Sequence, residues 1–234
     1  MTGERTGFFV TIDGPSGVGK STTVAELGRL LIQRGVSARM ITQPSTSDLG
    51  CFLRKNADHY HGLALACLVA ANRYEHIGTE ISPWLRTGEL LICDRYVAST
   101  LVLQQLDGVP LDFLAALNEH AVKPDLAVIL TATPGLIAGR ITERGITHRF
   151  HRDPSVPGRE VELYHDAAAF LTSWGVNVLV LDTSAATPSE VASRIADAIP
   201  PLPLPSVASA THPTPRKHER TTGTARHRHP RHRP

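Results

Sequence analysis

The amino-acid sequence predicts an α/β protein: a parallel five-stranded sheet flanked by helices. Three observations carry that expectation. Short apolar runs alternate with stretches of helical spacing, the runs are nearly continuous rather than alternating, and a glycine-rich turn joins the first run to the first helix. Strand–helix alternation of this kind closes through right-handed crossovers, and continuous apolar strands suit a sheet covered on both faces.

Phe8 to Asp13 (FFVTID) reads as the first strand. Lys20 to Arg34 follows as a helix, with apolar residues at Val24, Leu27, Leu30 and Leu31, and Gly35 sits where a left-handed cap ends it. Ala38 to Thr42 is the second strand, closed by Pro44. Leu63 to Trp84 is mainly helical, Leu90 to Asp94 (LLICD) is the third strand, and Leu111 to Ala121 is a further helix. Leu126 to Leu130 gives the fourth strand and Val176 to Asp182 the fifth.

The composition divides the chain. Residues 1–199 read as one domain and 200–234 as a disordered tail rich in Pro, His and Arg, whose composition builds no core. From Pro201 onward seven Lys or Arg face Glu219 alone, so the tail carries +6 and the remainder −4. Such a tail is a solvated segment in the plain reading, and a nucleic-acid or metal binder in the sharper one. No apolar run approaches bilayer length, and the N-terminus lacks a signal-peptide core, so cytoplasmic residence is expected. Cys51, Cys67 and Cys93 form no CxxC pair and read as buried free thiols of a reducing compartment.

Gly14-Pro15-Ser16-Gly17-Val18-Gly19-Lys20-Ser21 matches G-x-x-x-x-G-K-[ST] in full, between a strand and a helix. Glycines let backbone N–H groups converge on phosphate oxygens, and the helix terminus adds favourable potential. Lys20 reaches the β- and γ-phosphates of a nucleoside triphosphate, the Ser21 hydroxyl can ligate Mg²⁺, and Thr22 completes the stretch. The loop does not name the acceptor. A GTPase would show an NKxD-type motif, which is missing, and a motor ATPase would need a larger chain, so a small P-loop kinase fits best.

Asp94-Arg95 follows the third strand directly, at the end of the strand where open α/β sheets bind ligands. A carboxylate there holds the Mg²⁺ water shell or orients an acceptor oxygen, and Arg95 neutralises an acceptor phosphate. An Asp capping the next helix beside an exposed Arg is the structural alternative.

IDGPSGVGKST at 12–22, AANRYEH at 70–76, ICDRYVAS at 92–99 and KPDLAVIL at 123–130 together resemble the thymidylate kinase family of nucleoside monophosphate kinases, over residues 7–199. The resemblance implies ATP and Mg²⁺, an acceptor monophosphate, a mobile arginine-bearing lid and a homodimer. It gives Asp94 to the metal and acceptor phosphate, Arg95 and Arg54 to that phosphate, Arg73 to the base edge, and Ser99 to the wall of the acceptor pocket. Arg140, Arg144, Arg149 and Arg152 fall in the lid segment. Since positions 15–18 of the loop supply no arginine, Arg144 and Arg149 are candidates to reach the phosphates, and Arg140 lies near the adenine.

The departures gather on the acceptor side. Thr42-Gln43-Pro44-Ser45-Thr46-Ser47 stands where the family has an Arg-Glu-Pro-Gly-Gly-Thr-like segment. The base-stacking aromatic corresponds to Val69, the acid before the base-reading arginine to Asn72, the tyrosine screening the sugar to Leu103, and the acid within the phosphate loop to Ser16. Phe170 or Tyr164 is a possible replacement ring. Three readings follow: a dTMP kinase-like enzyme, a kinase for a modified nucleotide or nucleoside-like metabolite, and a nucleotide-binding regulator whose tail engages nucleic acid.

Overall fold

β1 (Phe8–Asp13) is buried at every position after Phe8 and sits at the centre of the sheet. The computed structural model describes residues 5–145, 153 and 155–201, with the side chain of Arg144 outside them. Five parallel strands run in the order β2-β3-β1-β4-β5, where β2 is Ala38–Thr42, β3 Leu90–Asp94, β4 Leu126–Thr131 and β5 Asn177–Asp182. The expected five-stranded parallel sheet is therefore present. Its central strands are nearly all buried, while the edge strands β2 and β5 are largely exposed or half-buried.

Side chains alternate between the two faces. Phe9, Leu91, Cys93, Ala127 and Ile129 pack into one apolar cluster, with Tyr96, Leu101, Tyr164 and Leu171. Val10, Ile12, Leu90, Ile92, Val128 and Leu130 pack into the other, with Leu27, Leu31, Val191 and Ile195. The helices α1 (Lys20–Gln33) and α9 (Pro188–Ala198) cover that second face, and α3 (Gly62–His76), α5 (Val97–Leu106) and α8 (Val156–Ser173) the first. The other helices are α2 (Asp48–Asn56), α4 (Ser82–Arg86), α6 (Leu111–Leu117) and α7 (Pro134–Arg144). A π-helical turn at Ile77–Ile81 links α3 to α4, so the expected long helix from Leu63 to Trp84 is one interrupted rod. α1 ends as its sequence predicts: Gly35 has φ +71°, and Val36 N–H closes on the Leu31 carbonyl at 2.8 Å.

One expectation is corrected. Only Cys93 is buried; Cys51 on α2 and Cys67 on α3 are exposed, because each faces away from the apolar stripe of its helix.

The register aligns the carboxyl ends of the central strands. Ile12 lies opposite Asp94, and Asp13 opposite Ile129. The chain leaves β1 for β2 and β3 on one side, then crosses to β4 on the other. The loops after β1, β3, β4 and β5 therefore open at one crevice.

Candidate active site

The loop after β1 is shaped by its glycines. Gly14 has φ +149°, and a Cβ there would stand 2.4 Å from the Leu130 carbonyl oxygen. Gly19, at φ +105°, is the N-cap of α1 and offers no side-chain cap, and the first turn holds no acid. The first N–H groups of α1 are thus left to a ligand, and the dipole of the helix favours an anion there.

Lys20 folds back into this loop. Its Nζ donates to the carbonyls of Gly14 (2.6 Å) and Pro15 (2.8 Å), and the residue is 6% exposed. Burial, and then the charge of Arg95, pull its pKa down to about 7 against the opposing pull of Asp94, Glu160 and Asp13. A cation held among carbonyls in this way is stabilised by an arriving phosphate. Ser21 Oγ donates to Asp94 Oδ2 at 3.3 Å, while Asp94 Oδ1 is buried without a hydrogen-bond partner among the described residues. A hydroxyl, a carboxylate and an orphaned carboxylate oxygen are a donor set that fits a hard divalent cation with retained waters.

Arg95 has φ +70°, the only positive value among the described non-glycine residues. Its N–H donates to the Ile12 carbonyl at 3.0 Å, which fixes the turn after β3. Beneath it lies Asp13, fully buried. Asp13 Oδ1 accepts from Tyr96 N–H (2.9 Å), Ser99 N–H (3.0 Å) and Ser99 Oγ (2.6 Å), and burial still raises its pKa. Ser99 Oγ also lies 3.2 Å from the Tyr164 hydroxyl. Ser99 therefore braces the floor of the site and does not form an open wall. Tyr164 is locked into the same floor, and Phe170 packs on Trp174, so neither ring is placed as a free stacking face.

Arg73 is 1% exposed. Its Nε donates to Gln43 Oε1 (2.9 Å), Nη1 to Asn118 Oδ1, and Nη2 to Thr100 Oγ1 (2.7 Å) and the Tyr96 carbonyl (3.2 Å). All four acceptors are neutral, the Tyr96 ring lies 5.1 Å away, and burial lowers the arginine's pKa. Gln43 Nε2, beside it, is buried and unpartnered among the described residues. Arg54, on α2, donates through Nη1 to the carbonyls of Pro44 (2.8 Å) and Ser45 (2.6 Å), so it clasps the segment after β2. Val69 and Leu103 are half-buried on α3 and α5.

The unusual residues of that segment bond to one another. Asn72 Oδ1 accepts from Ser45 N–H (2.8 Å), and its Nδ2 donates to Ser45 Oγ (2.7 Å). Ser47 Oγ donates to Glu75 Oε2 at 2.6 Å. Ser45, Ser47 and Asn72 are one interlocked set, while Gln43 bonds separately to Arg73.

On the other side of the phosphate loop a cleft of about 170 Å³ is lined by Gly19, Thr22, Arg140, Thr183, Ala186 and Pro188, among others. Arg140 Nη1 donates to the Val18 carbonyl at 3.3 Å, and Thr183 Oγ1 to the same carbonyl at 3.1 Å. Thr183 to Thr187 form the loop after β5, and Pro188 opens α9. The rule that ligands bind beyond strand carboxyl ends would have found them. Glu160 escaped the sequence reading too. It is 2% exposed on α8 and accepts from the Ser16 N–H and hydroxyl. Arg149 and Arg152 lie outside the described residues, as does the side chain of Arg144.

The family model described as "Thymidylate kinase" matches residues 12–184. A probable thymidylate kinase of Staphylothermus marinus is 34% identical over 148 residues, 63% of this chain and 73% of the relative. One of Caldivirga maquilingensis is 32% identical over 160 residues, 67% and 78% of the two chains. A thymidylate kinase of Caldicellulosiruptor saccharolyticus is 33% identical over 147 residues, 59% and 71%. With the phosphate loop, the parallel sheet and these matches in agreement, the chain belongs to the thymidylate kinase family.

Proposed function

We propose that the protein transfers the γ-phosphoryl group of ATP to a nucleoside monophosphate, with dTMP as the default acceptor. One observation carries this reading. A single loop holds an uncapped helix terminus and Lys20 on one side, and on the other it meets the turn that bears Asp94 and Arg95. Two anionic groups can therefore face each other across it.

The reaction breaks the bond between the γ-phosphorus and the oxygen that leaves with ADP, and forms one to an acceptor phosphate oxygen. That oxygen is already anionic at neutral pH, so no general base is required. The residues position the groups and offset charge. Lys20 and the N–H groups of α1 hold the donor phosphates. Arg95 meets the acceptor phosphate, with Arg54 at its margin once it releases part of its hold on the Pro44 and Ser45 carbonyls. Ser21 and Asp94 would hold Mg²⁺, which supplies charge neutralisation between the phosphates when bound. The cleft between Arg140 and Thr183–Pro188 suits the adenine. Arg144 and Arg149 remain the candidates for equatorial charge. Arg73 acts from beneath the acceptor pocket, where it orders Gln43, Asn118 and Thr100. A cytoplasmic homodimer belongs to the same reading.

The interlocked Ser45, Ser47 and Asn72 set favours a second acceptor, a modified nucleotide, because these departures are matched to one another. ADP release measured across nucleoside monophosphates, deoxynucleoside monophosphates and free nucleosides tests both readings. Preference for unphosphorylated nucleosides would overturn them, since Arg95 would then meet no acceptor phosphate.

A further inference from the structure

Arg54 reaches the acceptor side from α2, and the start of α2 is held by polar side chains that end on a carboxylate of α3. Arg54 Nη1 donates to the carbonyls of Pro44 (2.8 Å), Ser45 (2.6 Å) and, one turn back on its own helix, Gly50 (3.3 Å). Its Nε and Nη2 make no hydrogen bond among the described residues. One nitrogen therefore holds the guanidinium, and the opposite edge is offered. The first turn of α2 is pressed onto the same segment, since a Cβ on Gly50 would stand 1.9 Å from the Ser45 carbonyl oxygen. Ser47 caps the helix, its Oγ accepting from Gly50 N–H at 3.2 Å.

The Ser47 hydroxyl has a single proton to donate, and Glu75 receives it. The distance from Ser47 Oγ to Glu75 Oε2 is 2.6 Å, the length of a charge-assisted bond. In the 2.9 Å contact between the hydroxyls of Ser45 and Ser47 the donor is then Ser45, which itself accepts from Asn72 Nδ2 at 2.7 Å. Asn72 Nδ2 also lies 3.1 Å from Glu75 Oε2. The bonds run one way, from Asn72 through Ser45 and Ser47 to Glu75, and leave the Ser47 lone pairs for the helix N–H. A carboxylate only accepts, so Glu75 fixes that direction. We propose that Glu75 is a positioning residue for acceptor binding: it orders Ser47 and Ser45, and through them sets where Arg54 meets the acceptor phosphate. This assignment rests on the nucleoside monophosphate reading above, in which Arg54 takes that phosphate.

A double-mutant cycle tests it. KM is measured for ATP and for the nucleoside monophosphate used best, dTMP by default, with the wild type, Glu75→Ala, Arg54→Ala and the double variant. The cycle is repeated with Glu75→Gln, which keeps the size of the side chain and one acceptor oxygen. Melting curves with ATP alone report whether each variant folds, and Glu75→Gln carries the cycle if Glu75→Ala does not. Glu75→Ala should raise KM for the acceptor roughly 10-fold, the scale of one charge-assisted hydrogen bond, and leave KM for ATP within about twofold. Glu75→Gln should lose less. In the Arg54→Ala background either change should cost under about twofold, because the arginine that Glu75 positions is gone. A loss of the same size with and without Arg54, in folded protein, would make Glu75 a general brace and overturn the proposal. An unchanged acceptor KM in both single Glu75 variants would overturn it too. If Arg54→Ala leaves the acceptor KM unaltered, the arginine is no acceptor ligand and the proposal falls while the enzyme's function stands. Wild-type protein that binds ATP but turns over no nucleoside monophosphate would instead sink the underlying function, and the assignment with it.

Discussion

The donor and acceptor halves of the site store their chemistry differently along the chain. The donor half is local: Gly14 to Thr22 contain the turn, the lysine and the hydroxyl, and backbone geometry dictates most of the residue types. The acceptor half is assembled from distant pieces. Gln43 meets Arg73, and Ser45 meets Asn72. The first half binds a group common to all nucleoside triphosphates, so it has little room to vary. The second must fit one acceptor, and three of its departures, Ser45, Ser47 and Asn72, bond to one another although they lie on two separate segments of the chain.

The largest break should come from the donor half. Lys20→Ala is expected to lower kcat about 10³-fold, the scale of removing one preorganised charge from a transition state. Asp94→Asn should lose at least ~10²-fold, by the same argument. ADP release checks both, and circular dichroism should show an unchanged fold. Near-normal turnover by either variant would dissolve the asymmetry between the halves.

Arg95→Ala should cut kcat/KM for the acceptor by roughly 10- to 100-fold, as expected for a charge-assisted hydrogen bond, while ATP affinity stays within about twofold. A loss of ATP affinity instead would place Arg95 in the donor half. The pH dependence of ATP binding sharpens the same division. With Lys20 at about 7 in the nucleotide-free protein, binding above that pH must draw in a proton. Affinity should therefore fall as pH rises through 7, by at most about tenfold per unit. The sign for stability is opposite. The unfolded lysine titrates near 10.4, so without nucleotide this group adds stability as pH rises from about 7 toward that value. Calorimetric titrations and melting curves at pH 6.5 to 9 measure both slopes.

Restoring two family residues, Val69→Phe with Leu103→Tyr, should raise kcat/KM for dTMP over its ribose analogue by a few-fold, on the scale of one aromatic contact. If the unmodified protein already uses dTMP at about 10⁵ M⁻¹s⁻¹ or better and rejects the ribose analogue, the pocket needs no repair. The smallest effect is expected from removal of residues 202–234. Their composition offers no core, so kcat and melting temperature should barely move, and a tenfold loss would assign them a role.

What the sequence disclosed follows the same line. Strand positions and the phosphate loop were legible because apolar continuity and glycine placement are local signals. Arg73 was found, but its burial was not, since four neutral partners from three other segments surround it. Glu160 was invisible because nothing near it in the chain marks a carboxylate that meets a loop 144 residues away. The Thr183–Pro188 wall of the donor cleft leaves a positional trace, at the end of β5, and no motif.

The backbone of Arg95 has a consequence of another kind. At φ +70° a side chain with a β-carbon costs of the order of 1–2 kcal/mol, and glycine avoids that strain. Heat resistance and turnover therefore pull this position in opposite directions. A mutant library sorted for thermal survival alone should enrich Arg95→Gly, whereas one sorted for phosphoryl transfer to the acceptor should purge it. The divergence between the two sorts would read out what the residue is kept for.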